Sequence, residues 1–517
     1  METRAILVFL AACYVTNGAR IIGVFPYQGR SHNIMFEPLM IGLARAGHTI
    51  DMISHFPPAE PVPGYNHINL KGSLPTYVNN VTASHARKVT TVGYGIGRLC
   101  GLISKQLCSL FETPQVQNIL NTDVKYDLMV TEVFSTNCFL AVAYKLKIPV
   151  VGVGSSVMYA WGYDPFYGEA NPSFIPSQFG AFTNEMSFIQ RVENTIVHFY
   201  SKYLFYSYDK TVSEPVARKH VPDLPSLNEI YNNMSLLLVN SHYSVHGARP
   251  GNPAIVEVAG LHIDQTQALS KELDVFLNSS KDGVIYFSMG TMVRSDTFDP
   301  EKISAIYESF SELSNYKVLW KGNVEDLPKP LPSNVKVVAW APQYAVLRHP
   351  KVKAFVTHGG LMGTIEAIQA GVPMVGMPFM VDQTFNIMGY VHKGIAVHVN
   401  YEDLTKARFS NALREVLLNP KYQSNSERIA RLFKDRPLSP LDEAIFWIEY
   451  VIRNGGEPLK SSGRHLNWFQ YYLLDVFLFL INIAAIVLAI VYVIVKKTLS
   501  AIVGTKSHAT SSKKKIS

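Results

Sequence analysis

The run Phe355-Val356-Thr357-His358-Gly359-Gly360-Leu361-Met362-Gly363-Thr364-Ile365-Glu366 has the residue types and spacing of an anion site. An apolar, strand-like segment ends in His-Gly-Gly, and a helix-forming segment follows at once. The first backbone N–H groups of a helix lack intrahelical partners and carry partial positive charge, which suits a phosphate. Gly360 and Gly363 let an anion approach the backbone, His358 adds a donor, and Glu366 is spaced to accept from ribose hydroxyls. A His-Gly-Gly turn alone marks many strand-to-helix junctions, but its surroundings narrow the reading. Upstream, Trp340-Ala341-Pro342-Gln343 offers an indole to stack on a nucleobase and an amide to reach its edge. Downstream, Gly371-Val372-Pro373 leads into a strand and then Asp382-Gln383, acceptors suited to sugar hydroxyls at the C-terminal end of a parallel strand.

The elements that must position these groups read as two α/β halves. The first opens with the apolar run 21–25, a loop over 26–31, an amphipathic helix over 36–46 and a strand over 49–54. Further strands are predicted at 128–131, 150–153 and 236–239. The second half restarts the pattern with strands at 283–289, 317–320, 335–339, 354–357 and 374–377, and helices at 300–313 and 364–370. The fold class is therefore α/β, with two doubly wound domains over 20–265 and 283–435 joined by a polar linker at 266–282. Return helices and a membrane-proximal segment follow over 436–475, including a helix at 441–453. The aromatic-rich stretch 188–208 reads first as core or interdomain packing and second as a membrane-surface helix.

Both ends read as addresses. Residues 1–19 have the short apolar run of a cleaved signal peptide. Residues 476–495 are apolar except for Asn482 and Tyr492, long enough to cross about 30 Å of hydrocarbon. Aromatics precede them and Lys496 and Lys497 follow, which places the 496–517 tail in the cytoplasm and the body in the lumen of a single-pass type I protein. Lys514-Lys515-Ile516-Ser517 resembles a dilysine endoplasmic-reticulum retrieval signal, and sequons at Asn80, Asn233 and Asn278 fit luminal glycosylation. The net charge of +7 over 517 residues argues against nucleic acid, because six of the excess charges are lysines beyond residue 495. Four cysteines are too few for a disulfide scaffold, and none has zinc-site spacing. Cys100 and Cys108 are a candidate bridge, with two buried free thiols the competing expectation.

Taken together, Trp340–Gln343, His349-Pro350, Thr357–Gly360, Glu366, Gly371–Pro373, Asp382-Gln383 and Asn386 resemble the UDP-glycosyltransferase family in its membrane-anchored animal branch. The likeness extends to Phe287–Thr291 and Gly260-Leu261-His262, and Leu-Met-Gly-Thr after His-Gly-Gly is similar to arthropod members. The resemblance implies two facing Rossmann-like domains of GT-B type, with a UDP-sugar as co-substrate and no cofactor or metal required. Trp340 would stack on uracil, Gln343 contact it and Glu366 hold the ribose. His358 and the Gly360–Gly363 backbone would take the diphosphate, with Ser288 or Thr291 helping, and Asp382 and Gln383 the sugar. Where Asn often follows His-Gly-Gly, this chain has Met362, which leaves only its backbone N–H for the phosphate.

On the acceptor side, the resemblance makes His32 the general base, in the loop after the first strand, for an inverting displacement on a small lipophilic hydroxyl compound. Its orienting acid is expected in order at Glu132, at the end of the 128–131 strand, then at Asn137, which could set the tautomer but not neutralise the imidazolium. A non-catalytic membrane-anchored carrier on the same fold is the competing reading, kept open by the uncertain acid and by Met362. A nucleotide-sugar epimerase or reductase is disfavoured, because Gly23 and Gly29 lack dinucleotide-turn spacing. Arthropod likeness favours glucose and vertebrate likeness glucuronic acid; homo-oligomerisation stays open.

Overall fold

The computed structural model describes residues 18–87, 92–167, 170–380 and 382–512. Most of the expected leader and the lysines at 513–515 lie outside the described residues. One compact unit runs to Lys460 and a second begins at Ser461.

The first unit holds two fully parallel sheets. Its strands are β1 (Arg20–Val24), β2 (Thr49–Ser54), β3 (Tyr65–Asn69), β4 (Val81–Thr82), β5 (Leu128–Glu132), β6 (Val150–Gly154), β7 (Leu236–Val239), β8 (Ile255–Glu257), β9 (Gly283–Ser288), β10 (Val293–Arg294), β11 (Tyr316–Lys321), β12 (Val335–Val338), β13 (Val352–Thr357), β14 (Met374–Gly376) and β15 (Ala396–His398). The seven-stranded sheet runs β3-β2-β1-β5-β6-β7-β8, and the six-stranded sheet β12-β11-β9-β13-β14-β15. Central strands such as β5, β6 and β9 are buried at every position, which is why their sequences are apolar runs with little alternation. In each sheet the connections change direction once, between β1 and β5 and between β9 and β13. A crevice opens at such a switch point, outside the carboxyl ends of the strands.

Six helices matter below: α1 (Arg30–Arg45), α2 (Phe188–Tyr208), α3 (Leu361–Ala370), α4 (Gln383–His392), α5 (Pro440–Asn454) and α6 (Leu474–Ser512). α1 starts six residues before the predicted helix. Its polar first turns read as loop, yet Arg30 and Asn33 both bond Glu37 along the helix. The predicted linker also carries structure. Lys271–Asn278 is a helix capped by Ser270, and its Leu273 and Leu277 enter the core of the second sheet.

Two features tie the halves together. β4 pairs in parallel with β10. The bond from Asn79 N–H to Thr291 O, at 2.7 Å, extends that seam. α5 returns from the second half and buries Ala444, Ile448 and Val451 in the core of the first. A side chain on Gly42 of α1 would meet Leu441 Cδ1 at 2.8 Å, so α1 and α5 pack closely at that glycine.

Cys108 is bonded to Cys138, and Cys100 is free and buried. Both expectations, a Cys100–Cys108 bridge and two free thiols, are thus corrected, since Cys108 pairs with Cys138 and, among the described residues, Cys100 alone is free. Cys100 and Cys108 lie on one near-continuous helical stretch, where eight residues separate Cα atoms by about 12 Å, beyond disulfide reach. The three sequon asparagines are exposed. In the second unit, Leu474–Ile502 is long and apolar enough to cross a membrane.

Removing the fully buried Ile448 side chain (Ile448→Ala) is expected to lower unfolding free energy by about 2–5 kcal/mol, read by denaturation of the detergent-solubilised protein.

Candidate active site

The two switch points face one cleft of about 790 Å³, whose walls include His32, Ser155, Ser288, Thr291, His358, Glu366 and Asp382. On the first wall, His32 lies in the first turn of α1, not in a loop. Its Nδ1 is 2.5 Å from Glu132 Oε1, and Glu132 is the last residue of β5. Ser155, just after β6, lies 3.0 Å from the same nitrogen and donates to Glu132 Oε1 at 2.7 Å. Tyr27 and Phe134 pack on the imidazole with ring centroids 4.3 and 4.8 Å away. A carboxylate on Nδ1 keeps the proton there and leaves the Nε2 lone pair as the ring's basic atom.

Asn137 is not part of this cluster. Its backbone and side-chain N–H groups donate to the two carboxylate oxygens of Asp209, each at 3.1 Å. Burial pushes that acid up to about 6 against these bonds. The expectation that Asn137 could orient His32 is corrected: it lies five residues beyond the end of β5, and the intervening turn carries it to the end of α2.

On the second wall, the His358 ring is held between two glycines. A Cβ on Gly290 would come within 2.5 Å of the ring, and one on Gly360 within 2.6 Å. His358 Nδ1 is buried without a protein partner. Burial, and then the charge of Lys321, pull its pKa down to about 4, so the ring is neutral. α3 begins beside it with no side-chain cap on Gly360. Lys321, at the end of β11, donates to Gly290 O at 2.5 Å and lies 5.4 Å from the centroid of the exposed Trp340 ring. Burial lowers its pKa to about 8.

Glu366 is half-buried on α3 and accepts from Gln343 Nε2 at 2.5 Å, while Tyr286 donates to Gln343 Oε1 at 3.3 Å. Burial raises Glu366 to about 7, opposed by the Gln343 bond. Asp382, which precedes α4 without capping it by its side chain, accepts from Asn386 Nδ2 at 3.0 Å. Its carboxyl is raised by burial and opposed by Asn386 and, across the cleft, by the charge of His32. Gln383 Oε1 accepts from Phe379 and Met380 N–H, which leaves its amide nitrogen to donate. Met362 points its sulfur at Asn240 Nδ2, 3.5 Å away in the first half, and Asn240 also donates to Ser155 O at 2.9 Å. Ser155 and Lys321 escaped sequence reading, although each stands at a strand's C-terminal end, where an open sheet presents ligand groups.

The description "UDP-glucoronosyl and UDP-glucosyl transferase" belongs to a family model that matches residues 60–509. The chain belongs to the UDP-glycosyltransferase family. A UDP-glucosyltransferase 2 of Dactylopius coccus is 35% identical over 490 residues, covering 93% of this chain and 94% of that protein. UDP-glucuronosyltransferase 2B15 of Rattus norvegicus is 35% identical over 368 residues, 70% and 68% of the two chains. Among solved structures, a UDP-glucose: anthocyanidin 3-O-glucosyltransferase in complex with UDP superposes with TM-score 0.55 at 18% identity, covering 85% of this chain and all of that one. The glycosyltransferase VinC, in complex with dTDP, gives TM-score 0.57 at 17% identity, covering 84% of this chain and all of VinC. These neighbours share the two-sheet GT-B fold.

An ionised carboxylate accepts from hydroxyl donors more strongly than the protonated acid does, so a ribose held by Glu366 would bind best to its carboxylate form. UDP affinity measured by calorimetry is therefore expected to be full above pH 7 and to fall as pH drops through about 7. Glu366→Gln is expected to flatten that dependence and weaken UDP by about tenfold to a hundredfold.

Proposed function

We propose that the chain transfers glucose from a UDP-sugar to a hydroxyl of small lipophilic acceptors by a single inverting displacement. The observation that carries this reading is the His32–Glu132 pair facing the His358 turn across one cleft. His32 Nε2 removes the acceptor proton as the acceptor oxygen attacks the anomeric carbon. Glu132 stabilises the imidazolium that forms, supplying the acid whose uncertainty favoured a carrier. UDP departs from the opposite face of the sugar. Its growing negative charge meets the start of α3, an N–H of neutral His358, the Ser288–Thr291 loop and the Lys321 ammonium. In this reading those groups need no metal. Trp340 and Gln343 take uracil, Glu366 the ribose, Asp382 and Gln383 the sugar. The choice of glucose is supported by the relative matching 93% of the chain, a glucosyltransferase by name.

The apolar span Leu474–Ile502 supports a single-pass anchor, and Lys496 and Lys497, which follow its apolar run over 476–495, support a luminal body. The terminal dilysine supports residence in the endoplasmic reticulum.

Incubation with a panel of UDP-sugars and phenols is expected to give turnover with UDP-glucose. His32→Ala is expected to lower kcat by about a hundredfold to ten-thousandfold with UDP affinity unchanged; unaltered turnover would remove the base. Lys321→Met is expected to weaken UDP about tenfold or more while leaving uridine, which has no phosphate, unaffected.

A further inference from the structure

Arg98 brings a charge to the cleft that the fold leaves without a counter-ion. It opens a π-helical turn, Arg98–Ile103, directly after the helix Val92–Gly97. The turn is pinned from behind. Leu99 and Cys100 are buried in the core of the first sheet, and a Cβ on Gly101 would stand 3.0 Å from the Tyr208 ring. On its other side Arg98, half-buried, lines the cleft with Leu99 and Ile103. Burial pushes the pKa of the Tyr27 hydroxyl up, and the Arg98 charge is near enough to oppose that rise. Tyr27 packs in turn on Tyr77, Phe134 and the His32 ring, with centroids 6.3, 4.9 and 4.3 Å away. The guanidinium thus belongs to the aromatic wall that holds His32.

Its hydrogen bond is to His85, whose Nε2 accepts from Arg98 Nη2 at 3.2 Å. A guanidinium only donates, so that ring nitrogen carries a lone pair and His85 is neutral. The charge of Arg98 therefore stands uncompensated, and among the described residues no carboxylate pairs with it. The described acids on the cleft wall bond elsewhere: Glu37 to Arg30, Asp264 to Thr266, Glu366 to Gln343 and Asp382 to Asn386. Of the other arginines there, Arg30 pairs with Glu37 at 3.3 Å. Arg45 is exposed in the last turn of α1, about 20 Å along the helix from His32. A half-buried guanidinium without a counter-ion is costly, and its planar fork takes a carboxylate through two parallel hydrogen bonds.

We propose that Arg98 selects acceptors that carry a carboxylate besides the hydroxyl to be glycosylated, holding the acid while an aryl body lies against Tyr27 and Phe134 and the hydroxyl reaches His32. The inference rests on the His32 base reading and narrows its acceptors from lipophilic hydroxyl compounds at large to aryl hydroxy acids. The acid is held and not glycosylated: the bond that forms is still between the hydroxyl oxygen and the anomeric carbon.

The test gives the full chain, in detergent, UDP-glucose and 4-hydroxyphenyl alkanoic acids with one to three methylenes between ring and acid, each beside its methyl ester. The phenol is alike within a pair, so the ratio of kcat/KM for acid over ester reads the contact to the acid. A ratio of about ten or more is expected for at least one length. Arg98→Met and Arg98→Gln are expected to lower that ratio about tenfold to a hundredfold, and Arg98→Lys to keep part of it. Loss of folded protein lowers both members of a pair and leaves the ratio unmoved. A ratio near one at every length would overturn the proposal and leave the transferase standing, as would a preference that survives in Arg98→Gln. No turnover of either member of any pair would remove the base reading and the proposal with it. With an ester as acceptor, a loss in Arg98→Gln confined to UDP-glucuronate would assign the guanidinium to a donor carboxylate and overturn the proposal.

Discussion

In an open parallel sheet, ligand-binding groups gather about the crevice where the connections change direction, because there the crossover helices diverge from the strand ends. This chain has two such places, beyond β1 and β5 in one sheet and beyond β9 and β13 in the other. His32 follows β1 and Glu132 ends β5, while Ser288 ends β9 and His358 follows β13. The remaining contacts serve this arrangement. α5 crosses back into the first core, and the β4–β10 seam fastens the halves so that both crevices open on one cleft.

The charge states in that cleft follow from burial more than from pairing. Desolvation keeps His358 neutral, holds Glu366 near neutrality and weakens the hold of Lys321 on its proton. In each of the three, burial disfavours the charged form. The His32–Glu132 pair differs, since a carboxylate at 2.5 Å fixes one ring nitrogen directly.

Much of this was legible in the chain. The inner strands announced themselves as apolar runs, and the glycines around His358 announced the turn from β13 into α3, because both signals are local. Ser155 and Lys321 left no local pattern; their relevance depends on which strands lie side by side. Glu132 and Asn137 were separable only by the path of the turn between them, and Cys138 as the partner of Cys108 only by folding. The 271–278 helix was a different failure. Its cap at Ser270 and the spacing of Leu273 and Leu277 were readable, but polar composition suggested a linker. Met362, noted as a lost donor, turns out to reach across to Asn240 and so towards the carbonyl of Ser155.

The seam has a bearing on how relatives can be recombined. Residues 79–82 belong by sequence to the first half, yet they bond Thr291 and Met292, part of the loop beside His358. α5 belongs by sequence to the second half, yet its core neighbours are in the first. A chimera cut at the linker would therefore graft two mismatched surfaces at once. An exchange of halves between relatives calls for breakpoints that let residues 79–82 travel with the second half and the 440–454 helix with the first.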